Sequence, residues 1–218
     1  MPKVNVILPI RSGSKRIVNK NIKLINNKPL YQFIVHTLKN CKYIEKIIIN
    51  TDYEIIYDRY RNDKKVNVIK RKDHLKGNCN INYVIKSTLE ETSGNYFLQT
   101  HVTNPLLKSD TIDNAIELYF KNIEKYSCLF SVHKVQKRFW DSNAEPINHN
   151  YTDEPTTQSL ETYYEENSCL YIFSRESFLI NDNRIDNNNK KMFEISKKES
   201  WDIDDEDDFV MVSKLLKN

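Results

Sequence analysis

From Lys3 to Val132 the chain alternates short apolar runs with segments of helical periodicity, and no other feature narrows the possible folds as much. Lys3 to Pro9 reads as a buried strand, because Val4, Val6, Ile7 and Leu8 are nearly consecutive. Pro29 to Leu38 reads as a helix with proline in its first turn and Leu30, Phe33, Ile34, Thr37 and Leu38 on one face. Strands are then expected at Lys46–Asn50, Val66–Ile69, Tyr96–Gln99 and Cys128–Val132. Helices are expected at Asp52–Tyr60, Ile81–Glu91 and Ser109–Ile123. Repeated β-α-β units favour a three-layer α/β fold: a mostly parallel, Rossmann-like sheet with helices on both faces. Ligands bind such sheets at the carboxyl ends of the strands, so the loops after Pro9, Asn50, Ile69, Gln99 and Val132 are the places to search.

The stretch 134–167 breaks the alternation. Phe139, Trp140, Tyr151, Tyr163 and Tyr164 stand there among polar residues, too aromatic for a free linker. It is expected to be an arm inserted in a single 1–218 domain, packed either on a second subunit of a homodimer or back on its own domain. Another strand follows at Cys169–Phe173, and an acidic cluster leads into a helix from Asp205 to Leu216.

Composition excludes several classes. With only Gly13, Gly77 and Gly94, the chain can hold neither a P-loop nor a three-glycine dinucleotide fingerprint. The net charge of +3 is too small to imply nucleic-acid binding. Cys41, Cys79, Cys128 and Cys169 show no metal-ligand spacing and are expected to be reduced. No apolar run approaches the roughly 20 residues that cross a bilayer, and the N-terminus enters a strand directly. A cytoplasmic protein without a leader or membrane partner is the expectation.

Two motifs carry chemistry. The loop after the first strand, Ile10-Arg11-Ser12-Gly13-Ser14-Lys15-Arg16 with Lys20 and Asn21 beyond, interleaves four cations with small residues. Backbone N–H groups in tight turns, together with neutralising cations, suit a polyphosphate. A solvated basic loop is the plainer alternative. The second motif is Asp202-Ile203-Asp204. In an extended segment both carboxylates point one way while Ile203 faces the core, giving a hard oxygen site suited to Mg²⁺. Asp205 to Asp208 precede an apolar run and are read as helix caps. Together these motifs suggest a metal-bound nucleoside triphosphate held without a Walker loop.

On these residues the chain resembles the CMP-acylneuraminate synthetases, or acylneuraminate cytidylyltransferases. Ile7-Leu8-Pro9-Ile10-Arg11-Ser12-Gly13-Ser14-Lys15-Arg16-Ile17-Val18-Asn19-Lys20-Asn21 is similar to their N-terminal signature. Thr103-Asn104-Pro105-Leu106, Glu166-Asn167-Ser168-Cys169-Leu170-Tyr171-Ile172 and Asp202-Ile203-Asp204 resemble their later motifs, in family order. The resemblance implies a nucleotide-diphospho-sugar transferase fold and a dimerisation arm. It also implies Mg²⁺-dependent transfer from CTP to a 2-keto acid sugar. Arg11 and Asn21 would contact nucleotide, and Lys15, Arg16 and Lys20 would surround the triphosphate. Arg71 matches the arginine that helps hold cytidine. Arg11, Lys15, Lys20, Asp202 and Asp204 would carry the catalysis.

The departures bear on the substrate. Asn80 and Asn82 replace small residues near the cytosine, and asparagine can still read a base edge. His101 replaces the sugar-contacting glutamine. It is expected to titrate near neutrality and to meet an acid group, or else to be an ordinary core or loop histidine. Thr103, Asn104 and Asn167 are placed on the acceptor by the same resemblance. Lys134 and Arg138 follow the fifth strand, either for a substrate anion or as surface charges. Asp52 is read as an N-cap, and His36, His133 and His149 form no ligand spacing. Another acidic acceptor (Kdo or a phosphonate) and a non-catalytic nucleotide-binding protein remain as alternatives.

Overall fold

Alternate residues of the first strand feed two separate cores. In β1 (Val4–Ile10), Val4, Val6, Leu8 and Ile10 join one apolar cluster and Ile7 joins the other. Burial on both faces is what an interior strand of a covered sheet requires. The computed structural model describes residues 1–150, 152–153 and 156–216. After β1 come β2 (Leu24–Ile25), β3 (Lys28–Pro29), α1 (Tyr31–Asn40), β4 (Ile44–Thr51), α2 (Glu54–Tyr60) and β5 (Val66–Lys70). Then follow α3 (Ile81–Glu90), β6 (Tyr96–Thr100), α4 (Ser109–Lys121), β7 (Cys128–Val135), β8 (Tyr163–Ser174), α5 (Arg175–Asn181), β9 (Lys190–Glu194) and α6 (Glu206–Leu215).

The main sheet has the order β5-β4-β1-β6-β8-β7-β9. All neighbours are parallel except β6–β8 and β8–β7. Helices α1 and α4 pack on the cluster containing Val6 and Leu8. Helices α3 and α5 pack through Ile85, Leu89 and Phe178 on the cluster containing Ile7, Phe97 and Phe173. The chain leaves β1 toward β4 and β5, then crosses to β6 on its other side. That reversal opens a crevice at the carboxyl ends of β1 and β6. Because β8 runs antiparallel to β6, with Thr100 opposite Leu170, its amino half around Asn167 reaches the same end.

Three expectations are corrected. Pro29 is not in a helix. It closes a hairpin with β2, whose turn residues Asn26 and Asn27 take φ of 51° and 63°. Asparagine tolerates that left-handed turn, so no glycine marks it. Strand β8 starts at Tyr163, so Tyr163 and Tyr164 pair with β7 and the excursion proper runs over 136–162. Elements α5 and β9 were not foreseen; α5 is announced only by Ser174, whose side chain accepts from the Ser177 N–H. Within the excursion Trp140 bridges Pro146, and the Phe139 N–H donates to Asn148 Oδ1 at 2.8 Å. Tyr151 lies outside the described residues.

Candidate active site

The basic loop leaves β1 at the crevice. Arg11, Ser14, Lys15, Arg16, Lys20 and Asn21 line a cavity of about 450 Å³. Gly13 takes φ +72°, a left-handed turn that glycine permits, just before Ser14, Lys15 and Arg16 on the cavity wall. Asn21 Nδ2 donates to the Arg11 carbonyl at 2.9 Å and closes the turn from below. Ile10 is wholly buried in the core and offers the cavity no side chain.

Ser12 also departs from expectation. Its N–H and hydroxyl both donate to Asp52, at 2.7 and 2.5 Å. It therefore anchors the loop rather than facing an anion. Asp52 in turn is not an N-cap: Tyr53 holds that position without a side-chain bond. These are hydrogen bonds to a charged acceptor, each worth about 1.5–3 kcal/mol. Asp52→Ala should raise the KM for nucleoside triphosphate about tenfold, while Asp52→Asn, which keeps an acceptor, should recover most of it. Steady-state kinetics with unchanged KM in Asp52→Ala would refute the clasp.

The far wall is built on β5 and α3. Arg71 is 2% exposed yet lines the cavity, and no carboxylate pairs with it among the described residues. Its Nε and Nη2 donate to Asn50 Oδ1 at 2.9 Å and the Asn50 carbonyl at 3.0 Å, and Asn50 Nδ2 donates to Thr88 Oγ1 at 3.1 Å. Burial pulls the Arg71 pKa down against the nearby charge of Asp52, so a buried guanidinium without a direct ion pair faces this space. Asn80 and Asn82 do not line this wall. Asn80 caps α3 by accepting from the Asn82 N–H, and Asn82 Oδ1 accepts from the Arg184 N–H at 3.4 Å. Gly77, Asn78, Cys79, Ile81 and Val84 stand there instead.

The acidic segment meets the basic loop. Ile203 is fully buried, and its N–H donates to the Thr103 carbonyl at 2.9 Å. Asp202 and Asp204, on either side, line a second cavity of about 340 Å³ with His133, Glu165, Asn167 and Lys197. Asp204 Oδ1 lies 3.1 Å from Arg16 Nη2 and 3.9 Å from Lys20 Nζ, so residues of the first cavity's rim pair across to the second. Lys20 Nζ also donates to the Ile203 carbonyl at 2.5 Å. Burial lowers the Lys20 pKa against the pull of both aspartates. Asp202 Oδ1 is buried without a hydrogen-bond partner, and burial raises its carboxyl pKa. Asp205 caps α6, as expected. Asp208 accepts from the Asp204 N–H at 3.0 Å and the Trp201 indole at 3.1 Å, pinning the Asp-x-Asp segment.

The acceptor candidates divide. Thr103 and His101 line the first cavity and Asn167 the second. Asn104 is fully buried and donates to the Trp201 carbonyl at 3.4 Å, a structural tie with no face on either cavity. Lys134 is exposed on β7 and lines neither. His101 does not titrate near neutrality: burial, then the cations of Arg184 and Lys20, hold its pKa at about 3. Arg184, Gln99 and the His133–Glu165 pair (Nε2 to Oε2, 3.3 Å) were not foreseen. Strand pairing places Gln99, His133 and Glu165, and the segment between α5 and β9 places Arg184; no local signal reveals either.

A cation-lined cavity at the sheet's carboxyl edge, whose rim cations Arg16 and Lys20 pair with Asp204 of the neighbouring cavity, sits on a fold of the nucleotide-diphospho-sugar transferase type. CMP:2-keto-3-deoxy-manno-octonic acid synthetase, solved with CTP, has the same fold: the TM-score is 0.75 at 13% identity, covering 99% of this chain and 98% of that one. The chain belongs to the cytidylyltransferase family, whose model matches residues 5–208. It is 26% identical to the N-acylneuraminate cytidylyltransferase of Streptococcus agalactiae serotype V over 94% of its own length and 51% of that protein. It therefore spans about half the length of such relatives. With the CMP-N,N'-diacetyllegionaminic acid synthase of Legionella pneumophila it shares 24% identity over 98% of this chain and 96% of that protein.

Proposed function

We propose that this chain is a Mg²⁺-dependent cytidylyltransferase joining CTP to the anomeric hydroxyl of an acidic 2-keto sugar of the sialic-acid type. The observation that carries the reading is the 3.1 Å Arg16–Asp204 pair, which joins the rim of the cationic cavity to the neighbouring cavity lined by the two carboxylates. The sugar oxygen would attack the α-phosphorus in line. The new O–P bond forms as the bridging P–O bond breaks, pyrophosphate leaves with that electron pair, and the hydroxyl proton is released. Such transfer depends on positioning and charge neutralisation more than on covalent help. Arg11, Lys15, Arg16 and Lys20 would offset the charge growing on pyrophosphate. Arg71 would meet an anionic or carbonyl oxygen of the nucleotide.

The donor set fits Mg²⁺, which takes one or two carboxylates and completes its shell with water and phosphate oxygens. Asp202 brings a buried oxygen with no partner and Asp204 a second carboxylate beside it. When bound, the ion would neutralise phosphate charge. Purified protein given each NTP and a panel of acid sugars should release pyrophosphate only with CTP and a nine-carbon 2-keto acid sugar of the sialic-acid type. Release with Kdo or a phosphonate alone would reassign the acceptor, and CTP binding without turnover would make the chain a scaffold.

The arm supports a homodimer. Trp140 and Ile147 are half or more exposed on it, and Tyr164 at its base is 45% exposed. Aromatic groups of this kind are enriched in interface cores. Light scattering should give twice the chain mass, and Trp140→Glu with Ile147→Glu should give monomer. A monomeric parent removes the proposal.

A further inference from the structure

Gln99 sits between Arg184 and His101, and its neighbours leave it one orientation. Arg184 has only donors, and its Nη1 bonds Gln99, so the atom it meets is Oε1. At the other end Gln99 Nε2 donates to the Thr100 carbonyl at 2.9 Å, a group that only accepts. The amide is therefore set from both ends. The same Nε2 lies 3.0 Å from His101 Nε2. An amide nitrogen cannot accept, so His101 Nε2 carries the lone pair and its ring proton sits on Nδ1. Arg184 is itself held over the Tyr171 ring at 3.5 Å. Protonating His101 Nε2 would set N–H against N–H, with the Arg184 and Lys20 charges adding repulsion. Among the described residues nothing bonds His101 Nδ1, and the ring lines the first cavity.

We propose that Gln99 and Arg184 are positioning residues that lock His101 as the neutral, Nδ1-protonated imidazole, and that this N–H selects the acceptor by donating to one of its oxygens. The proposal rests on the first cavity being the site of CTP and acceptor. It replaces a titrating cation with a fixed neutral donor. Recognition at this point then follows acceptor geometry and holds constant across the working pH range.

Long-range proton–nitrogen NMR correlations of the ¹⁵N-labelled full chain, with His101 assigned by His101→Gln, test the tautomer without any substrate. The expected result is a proton on Nδ1 and no titration between about pH 5 and pH 9. A proton on Nε2, or a midpoint inside that range, overturns the lock. Gln99→Glu offers a carboxylate acceptor and should move the ring proton to Nε2. It should raise the acceptor KM about tenfold or more with the CTP KM unchanged; a moved proton with unchanged acceptor KM overturns the contact. Should Gln99→Glu not fold, His101→Gln keeps an N–H donor and should hold the acceptor KM within a few-fold, whereas His101→Leu should not. Equal losses in those two also overturn the contact. If no acceptor yields pyrophosphate, the proposed function and the contact fall together, while the lock stands or falls on the spectrum alone.

Discussion

Asp202→Asn is expected to abolish turnover and yet give a ligand-free protein that melts at a higher temperature than its parent. The two effects share a cause. Asp202 is a largely buried carboxylate with an unpartnered Oδ1 and Asp204 beside it. Burial first, then the like charge, raises its pKa, against opposing help from Thr103 and Lys20. The sign follows from linkage. An acid whose folded pKa exceeds its unfolded one binds its proton more tightly when folded, so stability falls as pH rises from the ordinary carboxylate range through the raised value. Above the raised value the full deficit is present, and an uncharged amide of the same shape removes it. Catalysis runs the other way, because hard anionic oxygen is what Mg²⁺ would demand. The loss should be about a thousandfold or more, several kcal/mol at 1.36 per decade. Asp204→Asn should cost similar activity but change stability little, since Asp204 is half exposed and surface ion pairs are weak. Thermal melts with and without CTP and Mg²⁺, beside pyrophosphate release, make the comparison. Turnover within tenfold of the parent in either variant would refute the assignment of the pair.

What could be read beforehand was what local chemistry determines. Strand β1 was legible because interior burial leaves Val4, Val6, Ile7 and Leu8 nearly consecutive, with Asn5 the one polar residue among them. Asp202-Ile203-Asp204 was legible because a single buried isoleucine between two aspartates forces them to one side. The failures are tertiary. Asp52 sits where an N-cap would, but its partner is Ser12, 40 positions earlier. His101 looks titratable in sequence because its burial, and the Arg184 cation bonded to Gln99 85 positions earlier, are set only by the tertiary fold. Asn80 and Asn82 suit a base edge in sequence, whereas a helix start beside them claims one side chain and Arg184 the other. The β2–β3 turn hid because Asn26-Asn27 did what glycine usually does, in a chain with only three glycines.

Arg71→Lys is expected to cost CTP affinity far more than it costs stability, although it preserves the charge. The guanidinium spans two acceptors on one residue, Asn50 Oδ1 and the Asn50 carbonyl, and still faces the cavity. An ammonium is a compact point charge whose donors cannot reproduce that planar fork. It would either follow the Asn50 oxygens into the wall or swing toward the nucleotide, and could not do both. Burial already disfavours a cation here, as the lowered pKa of Arg71 records, and a buried lysine sheds its proton more readily than arginine. Arg71→Met fills the volume without charge. It leaves Asn50 short of donors, at about 1–3 kcal/mol for an unsatisfied buried acceptor, but it also lifts the penalty of an unpaired buried cation. Those terms oppose, so the Met variant should fold with a near-parental melting temperature. The nucleotide has no such compensation: losing a preorganised donor costs about 10²–10³-fold in catalytic efficiency. Both variants should therefore lose kcat/KM for CTP by that factor, with Lys no better than about tenfold above Met. Full activity in Arg71→Lys would mean that charge alone matters at this wall, and that the Asn50–Thr88 scaffold behind it serves the fold rather than the site.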